Sequence, residues 1–277
     1  MLRQRIITAL LLLAVLLPAL FYSDTHPFTA LSLLLVMTGG WEWARLHGCR
    51  SGVSLSLGLL MGLVMALFWF LGGLDRSWRM GWIVVGMMWV ALAIGMLYRG
   101  VAGWAAWPVS LRLWIGLVLI CCAWLALVQA RQRGLEFLLS VLLLVWMADV
   151  AAYFGGKAFG RRKLAPSISP AKSWEGAISG LFGVCLLAAC WLWADAGGLG
   201  NQASLYARLW QWGPLLGVVS LLFLVTMSVI GDLLESLVKR SAGVKDSSQL
   251  LPGHGGVLDR VDALLPVLPL SMMLVTL

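Results

Sequence analysis

Long apolar runs separated by short polar ones dominate this chain. Nine stretches, most of about 18–22 residues, carry little besides aliphatic, aromatic and small side chains: 6–23, 28–46, 54–73, 80–98, 111–130, 135–154, 176–195, 213–232 and 262–277. A helix needs about 20 such residues to cross roughly 30 Å of hydrocarbon, where each backbone N–H and C=O must be satisfied within the segment. The pattern therefore predicts an all-α polytopic membrane protein with about nine transmembrane helices. The second stretch is interrupted by Glu42 between Trp41 and Trp43, which reads as its interfacial end. The last stretch is short.

Composition agrees: 61% of residues are hydrophobic, 12% are charged, and the mean hydropathy is +0.93. Such a chain is not a soluble globular protein. Met1 to Arg5 followed by an apolar run resembles a signal peptide, but no clear Ala-x-Ala site follows and eight further spans do, so a retained first helix is expected. The five cysteines fall mostly inside spans without C-x-x-C spacing and read as small apolar residues. Basic residues set the orientation. With the N-terminus cytoplasmic, only Arg76, Arg79, Arg131, Arg133 and Arg208 are left outside. The net charge of +8 then follows from this bias and from anionic headgroups, with no nucleic-acid partner required.

The two halves differ in polarity. Residues 1–134 read as N-terminal transmembrane scaffold helices, whose surface would meet membrane lipids or form a homodimer. Residues 135–277 read as the catalytic region, with two polar loops on the cytoplasmic side and most of the acidic residues. Charge beside a membrane span is costly enough to imply function.

The first polar cluster runs from Asp149 to Gly176. Asp149 is placed about a turn before its helix ends, with Tyr153 at i+4 on the same face. A carboxylate so near hydrocarbon needs a cation or a metal, although snorkelling to the interface is the plain alternative. Gly155, Gly156 and Gly160 would let backbone N–H groups approach phosphate. Arg161, Arg162 and Lys163 by themselves make an ordinary inside loop. The run Ser169, Lys172, Ser173, Glu175 then adds hydroxyls and charge before the next helix, whose N-terminal dipole favours anions.

The second cluster holds Asp232, Glu235, Ser236 and Lys239 within roughly a 100° arc of one helix. A solvated helix end with a Glu235–Lys239 pair is the plain reading, but Asp232 lies deeper. Beyond it come Lys245, Asp246, a Pro/Gly-flanked His254 expected in a tight turn, and Asp259-Arg260-Val-Asp262. Carboxylates from separate segments suit Mg²⁺, which leaves its other positions to phosphate and water.

The 27-residue run from Ser236 to Asp262 resembles the signature of the phosphatidate cytidylyltransferases, or CDP-diacylglycerol synthases. It matches at Ser236, Lys239-Arg240, Lys245-Asp246, Pro252, His254-Gly255-Gly256, Asp259-Arg260 and Asp262. The segment Asp149–Gly176 is similar to a second family segment, while Val150-Ala151 and Ser248 depart from the family pattern. The resemblance implies that CTP and phosphatidate give CDP-diacylglycerol and pyrophosphate, with Mg²⁺ and a second cation such as K⁺; the absence of a transit peptide and the short loops favour a bacterial inner membrane over an organellar one. It further implies Asp232 and Asp259 as metal ligands and Asp246 as another acidic candidate. Lys172, Lys239, Arg240 and Lys245 become the triphosphate clamp, with Arg260 holding either substrate or Asp259. Asp149, Tyr153, Ser169, Ser173 and Glu175 become substrate contacts, and His254 lies near them. A CTP-dependent lipid-alcohol kinase and a transporter are the alternatives. Transport would scatter ionisable groups over several mid-spans.

Overall fold

The computed structural model describes residues 10, 14–198, 200 and 203–277. It is a helical bundle. We number its helices α1 (His26–Leu46), α2 (Ser51–Phe70), α3 (Arg79–Ala105), α4 (Val109–Arg133), α5 (Leu135–Phe159), α6 (Trp174–Ala196), α7 (Leu205–Trp210), α8 (Pro214–Ser241), α9 (Leu258–Val261) and α10 (Leu264–Thr276). The two strands β1 (Lys163–Ala165) and β2 (Ser169–Ser173) form one antiparallel hairpin, with Lys163 opposite Ser173 and Ala165 opposite Ser169. That hairpin lies within the loop expected between the sixth and seventh spans.

Among the described residues six helices, α2, α3, α4, α5, α6 and α8, are long and apolar enough to cross a bilayer. Their outward faces carry large side chains such as Leu63, Phe70, Ile94, Phe182 and Leu215, each more than 60% exposed. Water would not tolerate that surface; lipid does. The protein is an integral membrane protein. The first predicted span, 6–23, lies largely outside the described residues, although 14–21 is helical. The last becomes α10, whose 13 residues extend about 20 Å, less than the hydrocarbon thickness. Val267, Leu268, Leu270 and Met272 of α10 are buried, and the helix packs against α3, α4 and α8. It is a core element.

Three local features differ from expectation. Glu42 is not interfacial: it is fully buried on α1, because the run 28–46 packs inside the bundle against α2 and α4. Helix α5 continues to Phe159, so Asp149 sits ten residues before its end and not one turn. Helix α8 runs nine residues past Asp232, to Ser241, beyond its apolar stretch but as the shared face of Asp232 to Lys239 predicts. Sequence hydropathy stops where charge begins, but these charges find partners and the helices carry on. Helix α3 contains a break at Gly100, whose φ of 64° is non-helical.

Helices α5 and α6 form the most intimate pair. A Cβ at Gly180 would lie 2.8 Å from the Ala148 carbonyl oxygen, and one at Gly176 would lie 2.9 Å from that of Ala152. Small residues allow this approach, which dispersion and close packing reward in lipid. Gly155 and Gly156 belong to the same contact, facing Ser179 and Ser173. They are helical residues packing helix on helix, so the expectation of a glycine phosphate cradle is corrected. Gly160 N likewise donates to the Gly156 carbonyl at 3.0 Å.

Candidate active site

Helix α8 presents Asp232, Glu235, Ser236 and Lys239 along one side, as its periodicity predicts. The elements around it divide this polar strip into a mouth and a floor. At the mouth, β2 delivers Lys172, whose Nζ lies 2.6 Å from Asp232 Oδ2 and donates to the Val229 carbonyl at 3.3 Å. Ser236 Oγ donates to Asp232 Oδ1 over a longer 3.3 Å. The Asp232 side chain keeps 32% exposure. Asp149 on α5 interacts electrostatically with both Asp232 and Lys172. Asp262, just before α10, faces Asp232 from another direction and accepts from Ala263 N at 2.8 Å. Burial pushes the Asp262 carboxyl up to about 7; the Asp232 charge adds to this, and the ammonium groups of Lys239 and Lys172 oppose it.

The floor is tighter. Lys239 Nζ bridges Glu235 and Asp259, at 2.6 Å from Asp259 Oδ1. Asp259 Oδ2 accepts from Ser247 N at 2.9 Å, Ser247 Oγ at 2.9 Å and Gly256 N at 2.8 Å. Burial would raise the Asp259 pKa, but the Lys239 ammonium and the Gly256 and Ser247 donors outweigh it and hold it below the usual carboxylate range. Glu235 is 4% exposed, so the solvated helix end is excluded. Asp259 pairs with Lys239 and not with Arg260, which corrects that expectation.

Above the floor, the loop after α8 folds back on itself. Leu251 N donates to the Gly255 carbonyl at 2.9 Å and His254 N to that of Leu251 at 2.8 Å, with Gly253 and Gly255 at positive φ. His254 therefore sits in the tight turn its Pro/Gly setting predicts. The loop edges an open cleft of about 640 Å³, lined by Lys245, Asp246, Ser248, His254 and Arg260 among others. That volume suits a nucleotide-sized ligand.

Five carboxylates, Asp149, Asp232, Glu235, Asp259 and Asp262, thus gather around two ammonium groups, Lys172 and Lys239. The surplus of hard oxygen donors fits a divalent cation. Among the described residues no three acidic, His or Cys side chains enclose an ion by themselves. A cation that keeps water and phosphate oxygens in its shell matches such a donor set.

The Cytidylyltransferase family model matches residues 3–277. The chain belongs to the cytidylyltransferase family. It is 38% identical over 276 residues to the phosphatidate cytidylyltransferase of Pseudomonas aeruginosa, covering 97% of this chain and 95% of that one. With the enzyme of that name from Haemophilus influenzae it shares 33% identity over 294 residues, covering 97% and 96%. With the one from Brucella suis biovar 1 it shares 36% over 266 residues, covering 95% and 89%.

In this cytidylyltransferase family member the structure brings together Asp149, Lys172, Asp232, Lys239 and Asp259, and it sets Lys245, Asp246, His254 and Arg260 along the adjoining cleft. The other candidates have local work. Ser173 caps α6 by accepting from Gly176 N at 3.2 Å. Glu175 accepts from the amides of Arg161 and Arg162 at 3.1–3.2 Å, closing the base of the hairpin. Ser169 pairs across the hairpin with Ala165, and the exposed Arg240 reaches the Ile168 carbonyl at its tip. Tyr153 is 63% exposed and meets Phe154 edge-on. Ser247 and Glu42 were missed. Ser247 had no signal beyond its place in the signature; Glu42 did, as a carboxylate between two tryptophans within an apolar run.

Proposed function

We propose that this protein transfers the cytidylyl group of CTP to phosphatidate, forming CDP-diacylglycerol and pyrophosphate for phospholipid synthesis. The observation that carries the proposal is the meeting of a carboxylate–lysine cluster with an open basic cleft, on helices whose outer faces suit lipid. A water-soluble nucleotide and a bilayer substrate need such a junction. The phosphatidate phosphate is already anionic, so no serine or cysteine nucleophile is required. One of its oxygens attacks the CTP α-phosphorus, the bond from that phosphorus to the bridging oxygen breaks, and pyrophosphate leaves with the electron pair. The protein supplies alignment and charge neutralisation. Lys245, His254 and Arg260 receive the triphosphate in the cleft, and Lys172 guides the lipid phosphate towards Asp232. Asp259, fixed on both oxygens, keeps Lys239 in place.

Asp232, which keeps exposed lone pairs at the mouth, would hold Mg²⁺, and the ion would supply stabilisation of the charge on the pyrophosphate; Asp259, with both oxygens occupied, would anchor Lys239 beside it. The N-terminus and the cleft are assigned to the cytoplasmic side of a bacterial inner membrane, where CTP is available and where the Lys and Arg bias places them.

The test is turnover by detergent-purified protein with CTP, phosphatidate and Mg²⁺, following pyrophosphate and cytidine-labelled lipid together. Equal amounts of both, lost with EDTA and restored by Mg²⁺, are expected. CDP without labelled lipid would replace this reading with lipid-alcohol phosphorylation.

A further inference from the structure

Glu42 is the most completely buried carboxylate outside the cluster, at 0% exposure. It projects from α1, in the half of the chain where sequence predicts only scaffold, yet all its hydrogen-bond partners belong to the signature segment some 205–216 residues later. Oε1 accepts from Ser248 Oγ at 2.6 Å and Val257 N at 2.9 Å. Oε2 accepts from Leu258 N at 2.7 Å and lies 3.1 Å from Ser247 Oγ, whose single proton it shares with Asp259. Among the described residues no lysine or arginine takes part. Three donors of its own and the Ser247 hydroxyl it shares with Asp259 surround the carboxylate and offset its burial without a counter-charge.

These contacts lie at both ends of the cleft-forming loop. Ser247 and Ser248 begin it, and Val257 and Leu258 end it. One carboxylate therefore pins the start and the finish of the segment that includes Pro252, His254 and Gly255. Ser247 Oγ lies within hydrogen-bond distance of both Glu42 and Asp259, joining the pin to the floor. Gly256 completes the fit: a Cβ there would run into Ser247 Oγ and the Glu42 carboxylate, so only glycine leaves the space. Nearby, a Cβ at Gly39 of α1 would touch Leu258 at 3.4 Å, showing how closely the helix approaches the returning chain.

We infer that Glu42 is a positioning residue for the nucleotide cleft: from the membrane-embedded first half it fixes the loop 247–258 in the shape that receives CTP. It acts through the loop and touches no substrate. Glutamine tests this sharply. Its amide NH₂ would face one hydroxyl and one backbone N–H whichever way it turned. The hydroxyl can rotate to accept, whereas the N–H of Val257 or Leu258 cannot and is left unpaired.

The inference rests on the cytidylyl-transfer reading only for its kinetic arm. In Glu42→Gln the KM for CTP should rise about tenfold or more, with the KM for phosphatidate unchanged. Ser248→Ala, which removes one of the three unshared donors, should shift it the same way by less. A purely structural residue would lower the active fraction, and so kcat, without moving either KM. Hydrogen exchange supplies the independent arm: amides 257 and 258 should lose protection in Glu42→Gln while those of α8 at 220–230 keep theirs. If Glu42→Gln does not fold, Ser248→Ala carries both arms, with a rise in KM for CTP and faster exchange at 257. Wild-type KM values, or unchanged local exchange, would overturn the inference. If the native protein turns over no CTP, the exchange arm still decides whether Glu42 holds the loop, and the failure falls on the proposed reaction instead.

Discussion

Asp232 and Asp259 have the same side chain, the same polar cluster and a lysine each, but opposite surroundings. Asp259 is 5% exposed, and both its oxygens are occupied by four donor contacts. Asp232 is 32% exposed, with one close ammonium group and one long hydroxyl contact. A saturated carboxylate holds structure because every departure breaks several bonds at once. An unsaturated one at a solvent-facing mouth keeps lone pairs for an incoming cation or substrate. The same contrast separates the floor, where Glu42 and Asp259 fix a loop, from the mouth, where Asp149, Asp232 and Asp262 gather with Lys172 in attendance.

The most damaging test of this comparison is substitution of both aspartates by asparagine. Asp259→Asn should reduce pyrophosphate release about 10³-fold and lower the Tm in detergent by at least about 4 °C, because buried donors lose their acceptor. Asp232→Asn should reduce release about 10²-fold while leaving the Tm within about 1 °C, since a half-solvated pair contributes little to stability. Equal thermal shifts for the two variants would break the distinction between floor and mouth.

A smaller effect follows from pH. Unfolded, Asp262 releases its proton near 3.8; folded, near 7. Between those values the folded protein binds the extra proton, so Asp262 makes stability fall as pH rises through the window. Asp259 acts in the opposite sense: its folded pKa is depressed, so its contribution is present above the unfolded value and is lost as pH falls through the folded one. In EDTA, Asp262→Asn should flatten the decline in Tm between pH 4 and pH 7, and thermal denaturation at stepped pH would read it. A decline of native steepness in the variant would assign the slope elsewhere.

The least effect is expected at the hairpin. Glu175→Gln should leave turnover within about twofold, since the carboxylate meets the Arg161 and Arg162 amides at an exposed site. A tenfold loss would move the hairpin base into the mouth.

Much of this was legible before any coordinates. Spans showed in hydropathy because lipid demands unbroken apolar helices. Asp232, Glu235, Ser236 and Lys239 shared a face because a helix repeats every 3.6 residues. The His254 turn showed in its proline and glycines. Sequence does not choose where one residue type has two uses. Gly155 and Gly156 read as a phosphate cradle, yet helix packing asks for small residues equally. Ser173 and Glu175 read as substrate contacts, yet a cap and a hairpin base use the same groups.

The sequence by itself determined the class of protein and which short segments concentrate charge, because both depend on composition and local spacing; the family followed from the resemblance of Ser236–Asp262 to a known signature. Tertiary structure decided which charges meet. Lys172 reaches Asp232 across 60 residues, and Glu42 reaches Val257 across 215. Pairings at that range are set by how helices pack, and a carboxylate reveals whether it is an anchor or a ligand only through the donors that surround it.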